Sequence, residues 1–221
     1  MLAAVLGLLP GCATGAAGAP KPIAGTFVGK VRGSDALVAV IATAPERNAR
    51  ERVVQVYVCD GGRLIRWLPG RAPARANLFA VVARGRARAD VKLAGAAARG
   101  DIILSGGRVL RFDAARATGV GGLYIVASLP DGRVRGQSDR GARLEGRVTR
   151  RLVGHAHGRP LYLAIVRIAV PGSGSRRLRT SWPPRPSESP GTILRVVVLP
   201  SGEMKGGFKH ALRARPPGPP S

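Results

Sequence analysis

The residues best suited to chemistry in this chain are Cys59, which is followed by Asp60, and the histidines His155 and His157. A thiol in a suitable environment can act as a nucleophile or a redox group. No basic residue lies within two positions of Cys59 to lower its pKa, and Asp60-Gly61 has the composition of a tight turn. We therefore interpret Cys59 as a small buried side chain at the end of a strand, with Asp60 starting the turn.

The two histidines form an H-x-H pair, and alternate residues of an extended segment share a face. Two imidazoles so placed could bind one metal ion, but a site needs a third ligand. No cysteine or acidic residue is close to His155 and His157, and Gly154 and Gly158 flank them, as in a solvated loop. They are weak metal candidates only, and we predict no metal site and no cofactor.

The carboxylates do not form an obvious catalytic pair, which a glycosidase would need. The chain has 12 acidic residues, and most of the central ones fall at predicted turns. The candidates are Asp60, Asp90, Asp101, Asp113, Asp131 and Glu145. Signatures of serine hydrolases, zinc peptidases, P-loops and dinucleotide-binding folds are missing from the sequence. We predict that the protein is not an enzyme, and we keep a thiol or metal-dependent hydrolase as an alternative.

The charge of the chain first suggests a polyanionic partner, because its 221 residues include 36 Lys+Arg and only 12 Asp+Glu, a net charge of +24. Arginine accounts for 31 of the basic residues and is spread from Arg32 to Arg215, which is also what a GC-rich genome would produce. Aromatic residues for base stacking are not interleaved with the arginines. We expect anionic envelope polymers or lipid headgroups as partners rather than nucleic acid. A basic polyanion- or nucleic-acid-binding protein is the alternative function.

The first residues resemble an export signal. Leu2 to Leu9 is an apolar run too short to span a bilayer, and small residues follow it. Leu9-Pro10-Gly11-Cys12 resembles a bacterial lipobox, in which Cys12 would be lipidated and would anchor the protein to the membrane. Without lipidation, a Cys12–Cys59 disulfide is an alternative in an oxidising compartment. A frayed apolar tail on a cytoplasmic protein is the other interpretation, since no basic residue precedes the run.

Composition divides the chain into four parts. We predict a signal or lipoprotein-like leader over 1–12, a flexible tether over 13–24, a single β-rich domain over 25–210 and a disordered tail over 211–221. Within the domain, the Pro-rich stretch 171–190 is expected to form a long loop.

The domain itself has the pattern of successive β-hairpins. Short runs rich in Val, Ile and Leu are separated by turn residues. Val53–Cys59 and Leu64–Leu68 flank Asp60-Gly61, for example, and Gly supplies the positive φ of a tight turn. Three further hairpins are predicted over 101–112, 123–137 and 193–208. The fold class predicted is all-β, an antiparallel hairpin meander forming a small barrel or sandwich with disordered N- and C-terminal tails.

Two of these hairpins echo one another. Leu123 to Gln137 aligns with Ile193 to Gly207, with Leu-Pro-x-Gly followed by a further Gly at matching positions. Internal duplication and convergent hairpin chemistry both explain this similarity.

Tyr57-Val58-Cys59-Asp60-Gly61, Trp67, Gly122-Leu123-Tyr124 and Val198 to Gly202 occur in an order that resembles a family of exported β-rich domains. That family is common in high-GC Gram-positive bacteria, often in lipoproteins, and the resemblance covers roughly Gly25 to Gly207. It implies a β-rich fold and an extracytoplasmic location, membrane-tethered or secreted, but no activity. The family-motif residues, for which we expect structural roles, are Tyr57, Cys59, Asp60, Gly61, Trp67, Gly122, Leu123, Tyr124, Leu199, Pro200 and Gly202. Our hypothesis is a non-catalytic, exported cell-envelope β-domain with a binding or structural role.

Overall fold

The computed structural model describes residues 21–61, 64–83, 87–129, 131–156, 159–182 and 193–207, and all regular structure within these ranges is β-strand. The strands are β1 (Gly25–Val31), β2 (Leu37–Ala42), β3 (Glu51–Cys59), β4 (Ile65–Pro73), β5 (Leu78–Val82), β6 (Arg88–Ala94), β7 (Ala97–Ile103), β8 (Val109–Arg116), β9 (Gly122–Ser128), β10 (Arg133–Ser138), β11 (Arg143–Ala156), β12 (Arg159–Val170), β13 (Gly174–Trp182), β14 (Ile193–Val198) and β15 (Met204–Gly207).

The strands form two antiparallel sheets, each curled into a nearly closed barrel. The first barrel has the order β4-β3-β2-β1-β8-β7-β6-β5, so two four-stranded meanders join where β1 pairs with β8. The second has the order β13-β12-β11-β10-β9-β14-β15, so the last hairpin adds beside β9. Curling in this way leaves each sheet with little exposed edge.

The first barrel is completed by packing between β4 and β5. Gly70 of β4 lies against Val81 of β5, and a Cβ at Gly70 would fall 2.7 Å from a Val81 methyl carbon. β4 also contains Pro69 and Pro73, which have no backbone N–H to donate. No β4–β5 pairing is part of the sheet order, so among the described residues the two strands meet through packing such as that of Gly70 on Val81.

Each barrel has its own apolar interior, built by the two-residue period of its strands. In β3, Val54, Val56 and Val58 point into the first barrel, while Tyr57 and Cys59 point out of it. The outward side chains are nevertheless buried, because the second barrel covers them. The strand is therefore apolar on both faces at this end, as strands buried on both sides are.

A third apolar cluster, here called the seam, joins the two barrels. It contains Val28, Leu37, Ala39, Tyr57, Cys59, Ile65 and Ala117 on the side of the first barrel, and Leu123, Val197 and Leu199 on the side of the second. Polar contacts border it: Lys30 forms a 2.6 Å ion pair with Glu203, and the Thr26 hydroxyl donates to Asp139. Buried apolar surface, bordered by these polar contacts, thus holds the two barrels together.

Hydrogen bonds from the first barrel fix the residues that precede β1. Arg52 is buried, donates to the Ile23 carbonyl at 2.6 Å and to the Ala76 carbonyl, and lies over the Phe79 ring. Asn77 accepts a hydrogen bond from the Ile23 N–H at 2.8 Å. Residues 21–24, expected to belong to a flexible tether, are therefore fixed against the barrel.

The all-β prediction is confirmed, and the structure selects barrels over a sandwich. The four predicted hairpins are β3–β4, β7–β8, β9–β10 and β14–β15. The prediction of a loop over 171–190 is wrong in its first half, because 174–182 forms β13 along β12. Leu178 and Trp182, which lie on the same face of β13, are buried against the second core and favour a strand despite the flanking prolines. Residues 183–192, the leader and the C-terminal tail lie outside the described residues.

The two hairpins that echo one another in sequence are neighbours in the second barrel, since β9 pairs with β14. Their matching glycines also have matching surroundings. A Cβ at Gly136 would lie 2.7 Å from a Val126 methyl, and one at Gly206 would lie 3.0 Å from a Val196 methyl. Close strand packing explains why glycine occupies both positions.

Candidate anion-binding face

The family-motif residues are brought together mainly at the seam rather than in an open cleft. Tyr57, Cys59, Leu123 and Leu199 all belong to the seam. The Tyr57 hydroxyl donates to the Arg195 carbonyl of β14 at 3.0 Å, which ties the first barrel to the second. The motif residues of the seam therefore hold the two barrels together.

Cys59 has the environment of a structural thiol. It is fully buried, and burial raises the pKa of its thiol to about 11. Its sulfur accepts a hydrogen bond from the Gly61 N–H at 3.1 Å, while Asp60 accepts one from the Leu64 N–H at 3.0 Å. Gly61 has φ of 83°, the left-handed conformation that the turn requires. A thiol that is protonated at neutral pH and shielded from solvent is poorly placed to attack a substrate.

Trp67 is half-exposed at the rim of the seam. The guanidinium carbon of Arg195 lies 3.7 Å from the centre of its ring, within the range of a cation–π contact. Arg195 therefore covers one face of Trp67 while its own carbonyl binds Tyr57. Tyr57 and Trp67, the two aromatic motif residues on the first barrel, are therefore linked through one residue of the second barrel.

The remaining motif residues shape the second barrel. Tyr124 is buried in its core and donates to the Val120 carbonyl at 2.8 Å, and burial raises the pKa of its phenol to about 12. Gly122 begins β9. The Pro200 carbonyl accepts a hydrogen bond from Arg176 at 3.1 Å, and Gly202 has φ of 94° in the turn between β14 and β15.

Of the two weak metal candidates, the structure describes only His155. His155 is exposed in β11, and His157 lies outside the described residues, as does Cys12. Among the residues that the structure does describe, no group of three or more His, Cys, Asp and Glu side chains could hold a metal ion. In the same part of the chain, no helix has the length and apolar character needed to cross a membrane.

The outer surface of the second barrel carries a concentrated set of exposed arginines. Strands β10 to β13 are consecutive neighbours in the sheet, and their outward positions fall into register. In the register of the sheet, Arg133 lies opposite Arg147, Arg135 opposite Glu145, Glu145 opposite Arg167, and Arg167 opposite Arg177. We define the arginine face as the exposed residues Arg133, Arg135, Arg143, Arg147, Arg167, Arg177 and Arg179.

Few acidic residues balance this charge. The span 131–182 contains 12 arginines and no lysine against Asp131, Asp139 and Glu145, a net charge of +9. Only Arg133 of the arginine face forms an ion pair with a described residue, and its partner is the adjacent Asp131. The Arg133 N–H also lowers the pKa of Asp131 by hydrogen bonding to its carboxylate. The other six arginines of the face have no described carboxylate within 4.0 Å.

On the first barrel, by contrast, exposed arginines are paired with aspartates. On its outer surface Arg88 pairs with Asp90 at 2.7 Å, Arg99 with Asp113 at 3.2 Å and Arg111 with Asp101 at 3.7 Å. Alternating signs neutralise this face. Like charges directly opposite each other destabilise a sheet. The arginine face keeps two such pairs, Arg133 with Arg147 and Arg167 with Arg177, and of these four arginines only Arg133 has a described ion-pair partner.

A shallow depression lies within the arginine face. It has a volume of about 450 Å³, and its lining includes Glu145, Ile165, Arg167, Ser175 and Arg177. The Nε of Arg167 donates to the Ser175 hydroxyl at 2.8 Å. That bond orients the guanidinium and leaves its terminal amino groups available to a ligand.

Sequence reasoning missed this surface, although part of its signal is visible. Arg133 and Arg135, Arg143 and Arg147, and Arg177 and Arg179 are spaced by even numbers of residues, so each pair shares a face of its strand. What the spacing does not give is the register that puts the pairs side by side.

Comparison of the chain with protein-family models, with curated proteins and with solved structures gave no match. The resemblance to exported β-rich domains therefore stays a prediction.

Proposed function

We propose that this protein is a non-catalytic, exported cell-envelope protein that binds an anionic polymer through the arginine face. The observation that carries the proposal is the placement of seven exposed arginines on four adjacent strands, six of them without a described acidic partner. Guanidinium groups form strong hydrogen bonds to phosphate and carboxylate oxygens. A polymer with repeated negative charges fits an array of this kind better than a single small anion does.

The leader supports the exported location, and a lipid on Cys12 would tether the protein to the membrane. Metabolic labelling with palmitate tests that anchor, and the label should be lost in Cys12→Ser. A full-length, unlabelled cytosolic product would overturn the proposed location without bearing on the arginine face.

An anionic polymer without bases is favoured over nucleic acid. Proteins that bind single strands stack the bases on aromatic side chains. The aromatic residues of β10 to β13 are Tyr162 and Trp182, and both pack against the core of the second barrel. The half-exposed Trp67 belongs to the first barrel. The face thus offers charge without a stacking platform.

A charge-reversal experiment tests the proposal. The triple variant Arg135→Glu, Arg147→Glu, Arg177→Glu should bind inorganic polyphosphate at least a hundredfold more weakly than the wild type, measured by calorimetry. Hydrogen bonds to charged groups contribute about 1.5–3 kcal/mol each, so three lost contacts suffice. The slope of log affinity against log salt should also become shallower by about 2, at about 0.7 per contact along a flexible polyanion.

The control changes the same charge elsewhere. Arg47, Arg75 and Arg108 are exposed on the first barrel, so Arg47→Glu, Arg75→Glu, Arg108→Glu lowers the net charge equally. Its affinity should fall less than about tenfold, because the long-range field weakens over a Debye length of about 10 Å at 0.1 M salt. Equal losses in the two variants would mean that net charge alone attracts the polymer, and the arginine face would not be the site.

A further inference from the structure

Glu145 occupies an unexpected place at the centre of the arginine face. It is exposed, and its register partners are Arg135 on β10 and Arg167 on β12. Within the described residues it forms no ion pair shorter than 4.0 Å, so it does not serve to hold one arginine. A negative charge here weakens attraction for any polyanion, since like charges repel. A surface selected for charge alone would be better without it.

An ionised carboxylate accepts hydrogen bonds and donates none. Every arginine around Glu145 does the reverse, because guanidinium only donates. The centre of the face therefore suits a ligand that brings both anionic groups and hydroxyl donors. A polymer with charges alone, such as inorganic polyphosphate, has nothing to donate to Glu145.

The arginines beside Glu145 are arranged for a tetrahedral anion. Arg167 and Arg177 are directly opposite on β12 and β13, which places their Cβ atoms about 5 Å apart. Arg167 is oriented by its 2.8 Å bond to Ser175. A phosphodiester has two free oxygens pointing in different directions, so each guanidinium can take one of them.

The lining of the depression adds an apolar contact. Ile165 lies on the same outward row as Arg147 and Arg179, and it is half-buried between them. Carbon atoms between successive phosphates of a ligand could pack on it. A ligand's phosphate would thus meet Arg167 and Arg177, its hydroxyl would meet Glu145, and its carbon skeleton would meet Ile165.

Building on the proposed function, we propose that the depression at Glu145 selects a polyol phosphate polymer. One phosphodiester binds between Arg167 and Arg177, a neighbouring hydroxyl donates to Glu145, and the carbon chain rests on Ile165. The arginine face supplies affinity and Glu145 supplies the choice of polymer.

Two probes of equal phosphate number test this inference, poly(glycerol phosphate) with free hydroxyls and inorganic polyphosphate. In Glu145→Ala, affinity for polyphosphate should rise several-fold because a repulsive charge is removed. Affinity for poly(glycerol phosphate) should fall, so that the ratio of the two affinities drops at least tenfold. Glu145→Gln, whose amide oxygen still accepts a hydrogen bond, should keep more of the preference. Glu46→Ala, an exposed acid on the first barrel, should leave the ratio unchanged.

The outcomes separate this inference from the proposed function. If Glu145→Ala raises both affinities together, Glu145 is only a repulsive charge and the inference is overturned while the arginine face stands. The same follows if the wild type shows no preference between the probes. If neither polymer binds in a salt-dependent manner, the proposed function itself fails.

Discussion

The buried thiol of Cys59 should make the stability of the protein fall steeply in alkaline solution. Burial raises the pKa of Cys59 from its ordinary value of 9.0 to about 11. Above pH 9 the unfolded chain therefore loses its thiol proton while the folded chain keeps it. Deprotonation stabilises only the unfolded state, so the free energy of unfolding declines as pH rises from about 9 to about 11.

The size of the effect follows from the same values. Each pKa unit corresponds to 1.36 kcal/mol, so the full loss, which is reached only above pH 11, is about 2.7 kcal/mol. Half of it, about 1.4 kcal/mol, should be lost by pH 10, and almost none by pH 8. Such a loss is a large share of the 5–15 kcal/mol typical of a folded domain.

The measurement is urea unfolding at pH 8, 9 and 10, followed by circular dichroism, for the wild type and for Cys59→Ala. The variant removes the titrating group, so the difference in unfolding free energy between wild type and variant should shrink by about 1.4 kcal/mol from pH 8 to pH 10. Tyr124, whose pKa burial raises to about 12, titrates in both proteins and cancels in the comparison.

Parallel pH profiles for the two proteins would refute the reasoning, because they would show that the Cys59 pKa is the same folded and unfolded. Thiol labelling gives an independent check in a Cys12→Ser background. Native Cys59 should react with iodoacetamide only as fast as the protein opens. Rapid labelling below pH 8 would instead indicate a low-pKa thiol and revive the thiol hydrolase alternative.

Two further predictions concern the strands and the seam. Gly29→Ala should destabilise the protein by about 3 kcal/mol or more, or prevent folding, because the new Cβ would lie 1.9 Å from the Asp113 carbonyl oxygen. Gly106→Ala, which adds a Cβ in open space at a turn, should change the thermal midpoint little. Equal effects of the two substitutions would contradict the close packing of β1 on β8. Leu123→Ala in the seam should cost about 2–5 kcal/mol in urea unfolding, whereas Ile125→Ala on the same strand, 54% exposed, should cost under about 1 kcal/mol. If Leu123→Ala and Ile125→Ala lower the free energy of unfolding equally, the stability of the barrels does not depend on the seam.

The sequence by itself determined the local structure of this protein. Asp60-Gly61 and the Leu-Pro-x-Gly turns mark hairpins because glycine readily adopts the positive φ that these turns need. Gly61 and Gly202 both have a positive φ in the structure. Runs such as Val53–Cys59 form strands because β-branched side chains pack well on a pleated surface. Both properties belong to a few adjacent residues, so they can be predicted without knowing the rest of the chain.

Only the tertiary structure decided that the strands divide into two barrels. β1 pairs with β8, and β14 pairs with β9, across long stretches of chain. Such pairings depend on which apolar faces can be buried together, a property of the whole chain. The motif around Tyr57 and Cys59 drew attention in the sequence, but its role at the seam became visible only when the second barrel covered it.

The arginine face depends most on the fold. A shift of one residue in the pairing of β11 with β12 would turn Arg147 and its neighbours to the opposite face, because side chains alternate. The apolar core of the second barrel fixes that register by burying Leu144, Val148 and Ile168. The same core therefore holds the arginines outward in adjacent rows, and a charge that looks dispersed along the chain becomes a continuous surface.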